Sequence, residues 1–137
     1  MADMGSLMST NGKRILLVDS DQDMGWLLKN VLHQLGCDLV VTNSWDTTLM
    51  ELAQGQPDLI LLDIPLIGFS ITNFLRLLNH SLPAVPVVII HPSTAGVARK
   101  KFKEIGQYAF IEKPFVVDHL VGKIREVLGA QLAESTG

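Results

Sequence analysis

Four polar residues occupy the same kind of place in this sequence: Asp19, Asp63, His91 and Lys113 each follow or close a short apolar run. The runs are Ile15-Leu16-Leu17-Val18, Leu59-Ile60-Leu61-Leu62, Val87-Val88-Ile89-Ile90 and Tyr108-Ala109-Phe110-Ile111-Glu112. Runs this short, bounded by turn formers such as Pro57-Asp58 and Pro65 to Gly68, are too brief for a helix and suit strands covered on both faces. If the strands lie parallel in one sheet, the four polar residues emerge together at its carboxyl edge, where open α/β sheets place their ligand sites. Two carboxylates and an ammonium in one crevice suit the capture of a phosphoryl group. A divalent cation held by carboxylates screens the repulsion between an aspartate nucleophile and the incoming anion, and a lysine pairs with the anion's oxygens. Mg2+ fits this role because it keeps several waters and needs only one or two carboxylates.

The segments between the runs read as the helices that hold such strands in place. Asp21 to Gly36 carries Met24, Leu27, Leu28, Val31, Leu32 and Leu35 on one helical stripe, with Gly36 as its cap. A strand at Asp38 to Thr42 follows, then a helix capped by Ser44 whose buried side carries Trp45, Leu49, Leu52 and Ala53. Ile71, Phe74, Leu75 and Leu78 mark the third helix. The fourth, from Ser93 to Ile105, has a thin apolar stripe of Ala98, Phe102 and Ile105, and packs four of the chain's 11 basic residues into Arg99, Lys100, Lys101 and Lys103. That run reads first as a solvated face and second as a docking surface. Val117, Leu120, Val121, Ile124, Val127 and Leu128 form the last helix, which Gly129 is expected to close.

Five alternations of strand and helix point to an α/β fold with a parallel sheet. Right-handed crossovers restrict it to a few doubly wound orders, of which 2-1-3-4-5, the flavodoxin-like order, sets Asp19 beside Asp63, with His91 flanking Asp63 and Lys113 beyond. Helices one and five are then expected on one face of the sheet and helices two, three and four on the other. The expected divisions are a loose leader over 1–12, one domain over 13–129 and a flexible tail over 130–137.

Composition bounds what this domain does. At 137 residues it has room for one core. The formal net charge of -3 supplies no overall drive toward nucleic acid or an anionic membrane. Asp63 interrupts the most apolar stretch well short of the roughly 18 residues a membrane span needs. Cys37 is the only cysteine, so no internal disulfide forms, and no signal segment opens the sequence; the cytoplasm is the expected compartment. A small-molecule enzyme is disfavoured, because there is no Gly-rich phosphate loop and Asp63-Ile64-Pro65 lacks the second Asp of an Asp-x-Asp phosphatase.

From 14 to 129 the sequence resembles the receiver domains of two-component response regulators. The resemblance rests on Ile15-Leu16-Leu17-Val18-Asp19, on Pro57-Asp58-Leu59-Ile60-Leu61-Leu62-Asp63-Ile64, on Pro86-Val87-Val88-Ile89-Ile90 and on Lys113-Pro114-Phe115. It implies a regulatory module rather than an enzyme. Asp63 would be the phosphoacceptor, charged by a histidine kinase or a phosphotransfer protein. Asp19 would belong to the acidic pair that binds Mg2+, Lys113 would contact the phosphoryl group, and the Lys113-Pro114 bond would be cis. An output domain or partner protein would be met through helix four, strand five and helix five, with no direct contact to nucleic acid.

The sequence departs from the family pattern at three places. Ser20 stands where the second acidic residue is usual, with Asp21 one position late; Gly68 follows Asp63 early, which shortens the loop that lends a carbonyl to the metal; and His91 replaces the usual hydroxyl at the switch position. Mg2+ binding is therefore expected to be weak or absent. The imidazole of His91 is expected over Asp63, and Phe110, at the aromatic switch position, in one buried rotamer. A receiver that works only as a phosphorylation-independent interaction module is the alternative expectation.

Overall fold

The computed structural model describes residues 12–19, 22–64, 70–92 and 96–136, the side chains at 22, 23, 97 and 130–136 excepted. Ser20, Asp21, residues 65–69 and most of the expected leader lie outside the described residues. Five strands and five helices alternate: β1 Arg14–Val18, α1 Gln22–Gln34, β2 Asp38–Thr42, α2 Trp45–Gln54, β3 Leu59–Asp63, α3 Ile71–Ser81, β4 Val87–Pro92, α4 Gly96–Ile105, β5 Ala109–Lys113 and α5 Val117–Thr136.

All strand pairs are parallel, in the order β2-β1-β3-β4-β5. Because successive side chains on a strand point to opposite faces, each apolar run feeds two cores. Ile15, Leu17, Leu59, Leu61, Val88, Ile90 and Ile111 face Leu28 and Leu32 of α1 and Leu120, Ile124 and Leu128 of α5. Leu16, Val18, Ile60, Leu62, Val87 and Ile89 face Phe74, Leu75 and Leu78 of α3 and Phe102 of α4, with Trp45 and Leu52 of α2 packed alongside. This is the fold and the division of helices expected from the sequence.

Local chemistry sets the joints. At the end of α1, Gly36 takes φ 81°; its N–H donates to His33 O and that of Cys37 to Leu32 O, both at 3.0 Å. This double closure satisfies the last carbonyls of the helix and turns the chain into β2. Ser44 Oγ accepts from Thr47 N, the cap the sequence called for. The buried residue of α2, however, is Thr48 rather than Ala53, which is exposed. Thr48 Oγ1 donates to Ser44 O at 2.7 Å, so its contact with Thr42 Oγ1 at 2.8 Å must be accepted from Thr42. A buried polar pair thus pins α2 to the end of β2, which a purely apolar stripe could not have indicated.

Two expected boundaries shift. Gly12 N donates to Gly36 O at 2.8 Å, so the backbone is already tied one residue before the expected start of the domain. Gly129 does not end α5: it lacks the positive φ of a helix-terminating glycine, and the helical backbone runs on to Thr136 through Ala130, Leu132 and Ala133. A single glycine costs a helix only about 1 kcal/mol relative to alanine, which strong helix formers beyond it offset. Among the described residues no helix is long and apolar enough to cross a membrane.

Candidate functional site

The site is built from strand ends. Val18 pairs with Leu62, which sets Asp19 and Asp63 side by side on neighbouring strands, and Pro92 pairs with Lys113 at the same edge of the sheet. Asp19, Asp63 and Lys113 are in phase with Leu17, Leu61 and Ile111, all of which point to the face covered by α1 and α5. Both carboxylates are sunk into the protein, with Asp19 3% and Asp63 2% exposed. Lys113 Nζ lies 2.5 Å from Asp63 Oδ1, its own side chain 30% exposed. The ammonium neutralises a carboxylate that would otherwise be costly to bury, and keeps its own access to solvent at the mouth of the crevice. The Lys113-Pro114 peptide bond is cis, as the family resemblance implied.

Asp19 and Asp63 offer the hard oxygen donors that Mg2+ takes, and an ion that retains its waters needs no more than these from the protein. Among the described residues they are not joined by a third His, Cys, Asp or Glu that would complete a metal cluster. Asp21, the acidic residue that comes one position late in the family's metal-binding pair, lies outside the described residues. The donor set fits Mg2+ at its minimum.

His91 is not over Asp63. It is in phase with Ile89, which faces the opposite core, and its Nδ1 lies 2.9 Å from Pro92 O. A carbonyl only accepts, so Nδ1 carries a proton and, in the neutral ring, Nε2 has only a lone pair to offer. That Nε2 is buried without a hydrogen-bond partner among the described residues. The ring stands edge-on to Phe110 at 5.9 Å between centroids. Pleat parity is the physical reason: Asp63 faces the α1 and α5 side and His91 the other.

Phe110 is half-buried rather than enclosed, and what covers it is cationic. The Arg99 guanidinium carbon sits 4.6 Å from its ring centroid and Lys103 Nζ 5.8 Å. Arg99 and Lys103, four apart on α4, share a helix face and reach one ring. Half of the basic run is therefore a lid on β5 rather than a purely solvated face. The i,i+4 spacing of Arg99 and Lys103, with an aromatic on the next strand, was the signal available in the sequence.

The model of the response regulator receiver domain family matches residues 15–125. The chain is 37% identical over 113 residues to the nitrogen assimilation regulatory protein NtrX of Azorhizobium caulinodans, covering 78% of this chain and 24% of that protein. It is 33% identical over 118 residues to the DNA-binding response regulator MtrA of Mycobacterium tuberculosis, covering 86% and 51% of the two chains. Among solved structures, that of NtrX from Brucella abortus superposes with a TM-score of 0.83 at 27% identity, over 90% of this chain and 28% of the other. The beryllofluoride-activated NtrC4 receiver domain dimer superposes at 0.78 over 86% of this chain and 98% of the other; at 21% identity it speaks for the fold alone. The chain spans about half the length, or less, of the curated relatives it matches.

Proposed function

The chain belongs to the response regulator receiver domain family, and from that membership we propose that it takes a phosphoryl group onto Asp63 from a phosphohistidine of a histidine kinase or phosphotransfer protein. The observation that carries this reading is the Lys113 ammonium held against the buried Asp63 carboxylate, with Asp19 on the adjoining strand. Lys113 engages Oδ1 and leaves Oδ2 as the nucleophile. Attack by Oδ2 on phosphorus forms the acyl phosphate as the P–N bond breaks; its electron pair returns to the donor's imidazole, which leaves neutral once protonated. Lys113 then pairs with the phosphoryl oxygens. Bound Mg2+ would supply charge screening between carboxylate and phosphoryl oxygens, held by Asp19 and Asp63.

Incubation with acetyl phosphate and Mg2+, read by intact mass, tests the reading. A single phosphoryl adduct on the chain is expected, and its absence would overturn it. Mg2+ itself is expected to bind weakly, because two carboxylates with Ser20 at the neighbouring position provide little charge or geometry. Trp26 lines the same cavity as Asp19, so tryptophan fluorescence can follow the titration, and saturation at micromolar Mg2+ would rule out a weak site.

A second reading, an interaction module indifferent to phosphorylation, is favoured by one observation: His91 is tied to Pro92 O while Phe110 is held between His91 and Arg99. Imidazole cannot repeat the small step of a switch hydroxyl toward the phosphoryl group, and the aromatic has no vacated space to enter. The surface of α4, β5 and α5, offered to an output domain or partner, is then the same in both states. With beryllofluoride, NMR shifts are expected to stay near Asp63; large shifts through Phe110 into α4 would show a working switch. DNA contact, named for MtrA, belongs in this scheme to sequence outside the receiver.

A further inference from the structure

The inner half of the basic run covers Phe110, but Lys100 and Lys101 do not share that task, and on the neighbouring helix they have company. Arg76, Asn79 and His80 of α3 and Lys101, Glu104 and Ile105 of α4 line a groove of about 580 Å³. Asn79 Nδ2 donates to Ile105 O at 3.4 Å and ties the helix ends together at its base. Both helices run antiparallel to the strands they follow, so the groove opens toward the amino edge of the sheet, away from Asp63.

Its charge has no internal explanation. Among the described residues no ion pair engages Arg76 or Lys101; Lys113 pairs with Asp63 and Lys123 with Glu126. Glu104 is three residues from Lys101 and four from Lys100, yet bridges neither. Compensation of the helix dipole is confined to the last turn, which holds His80 in α3 and Lys103 in α4. Arg76, Lys100 and Lys101 lie mid-helix. α3 contains no Asp or Glu, and the chain as a whole is acidic at -3.

We infer that the groove between α3 and α4 is a docking surface for an acidic segment of a partner protein. Charge complementarity chooses this occupant. A nucleic acid would need a longer basic track with exposed aromatics for its bases, and the groove offers none and includes Glu104. α4 spans about 15 Å, so the occupant is about 10 residues of helix with carboxylates three or four apart. The inference stands apart from phosphoacceptance, since the groove and Asp63 lie at opposite edges of the sheet.

The test titrates the intact chain with a labelled acidic helical peptide, its Glu→Gln counterpart and a single-stranded oligonucleotide of equal charge, read by anisotropy and by NMR shift mapping. Shifts confined to Arg76, Asn79, His80 and Lys101 are expected with the acidic peptide and not with its neutral counterpart. The double variant R76E/K101E should weaken binding at least about tenfold, K29E on α1 less than about twofold, and unchanged thermal melting shows that both remain folded. Adding beryllofluoride should leave the affinity unchanged. Shifts scattered over all surface lysines, an R76E/K101E affinity equal to the parent's, or tighter binding of the oligonucleotide would each overturn the inference.

Discussion

Asp63→Asn is expected to abolish the phosphoryl adduct outright, while Asp58→Asn, five residues earlier on the same segment, keeps it. The two aspartates flank one strand and do different work. Asp58 Oδ2 accepts from Arg14 N at 2.8 Å and its own N–H donates to Arg14 O, so its carboxylate is a backbone brace between β1 and the start of β3. Losing the charge of that brace costs about 1 kcal/mol and no chemistry. Asp63 is buried in the crevice with Lys113, and an amide there has no anionic oxygen to attack phosphorus. Intact mass after acetyl phosphate treatment reads both variants. An adduct that survives in the Asp63→Asn protein would move the acceptor elsewhere.

Lys113→Met is expected to destabilise the fold by about 2–3 kcal/mol at neutral pH, measured by denaturant midpoint. Removing one partner of a buried pair strands the other; fully enclosed pairs lose about 3–5 kcal/mol. The Lys113 side chain is 30% exposed, so solvent already screens part of the interaction and the loss is smaller. The double variant D63N/K113M should recover most of it, because the carboxylate that Lys113 neutralised is removed together with the ammonium. Equal losses in single and double variants would mean that Lys113 acts through packing of its stem rather than through its charge.

Much of this was legible in the sequence because strand ends are marked twice, by where the apolar run stops and by the turn formers beyond it. Asp19, Asp63 and Lys113 could be placed at one edge of one sheet on that basis, and the order of strands followed from handedness. His91 was misplaced because run ends give the edge but not the face: counting alternate residues back to Ile89 puts it with the α3 and α4 core. Thr48 was missed because its burial depends on a hydroxyl pair with Thr42 that no hydrophobic stripe encodes. The lid of Arg99 and Lys103 over Phe110 is a tertiary contact between α4 and β5: their i,i+4 spacing marks a shared helix face, but nothing within α4 says which residue of β5 that face meets.

Cys37 follows the glycine that ends α1 and is enclosed in the core beneath α1 and α5, 2% exposed. Burial pushes its thiol up from the ordinary range, an effect that the Arg125 guanidinium opposes. A thiol both enclosed and protonated does not meet a labelling reagent until the α1–β2 joint separates from the sheet. Since this is the chain's only cysteine, its labelling rate is a clock for that opening. At low reagent the rate gives the free energy of opening, and at saturating reagent the rate constant. The opening kinetics of this joint are thus measurable in the wild-type chain, without an introduced probe, with and without a phosphoryl mimic at the far end of the adjoining strands.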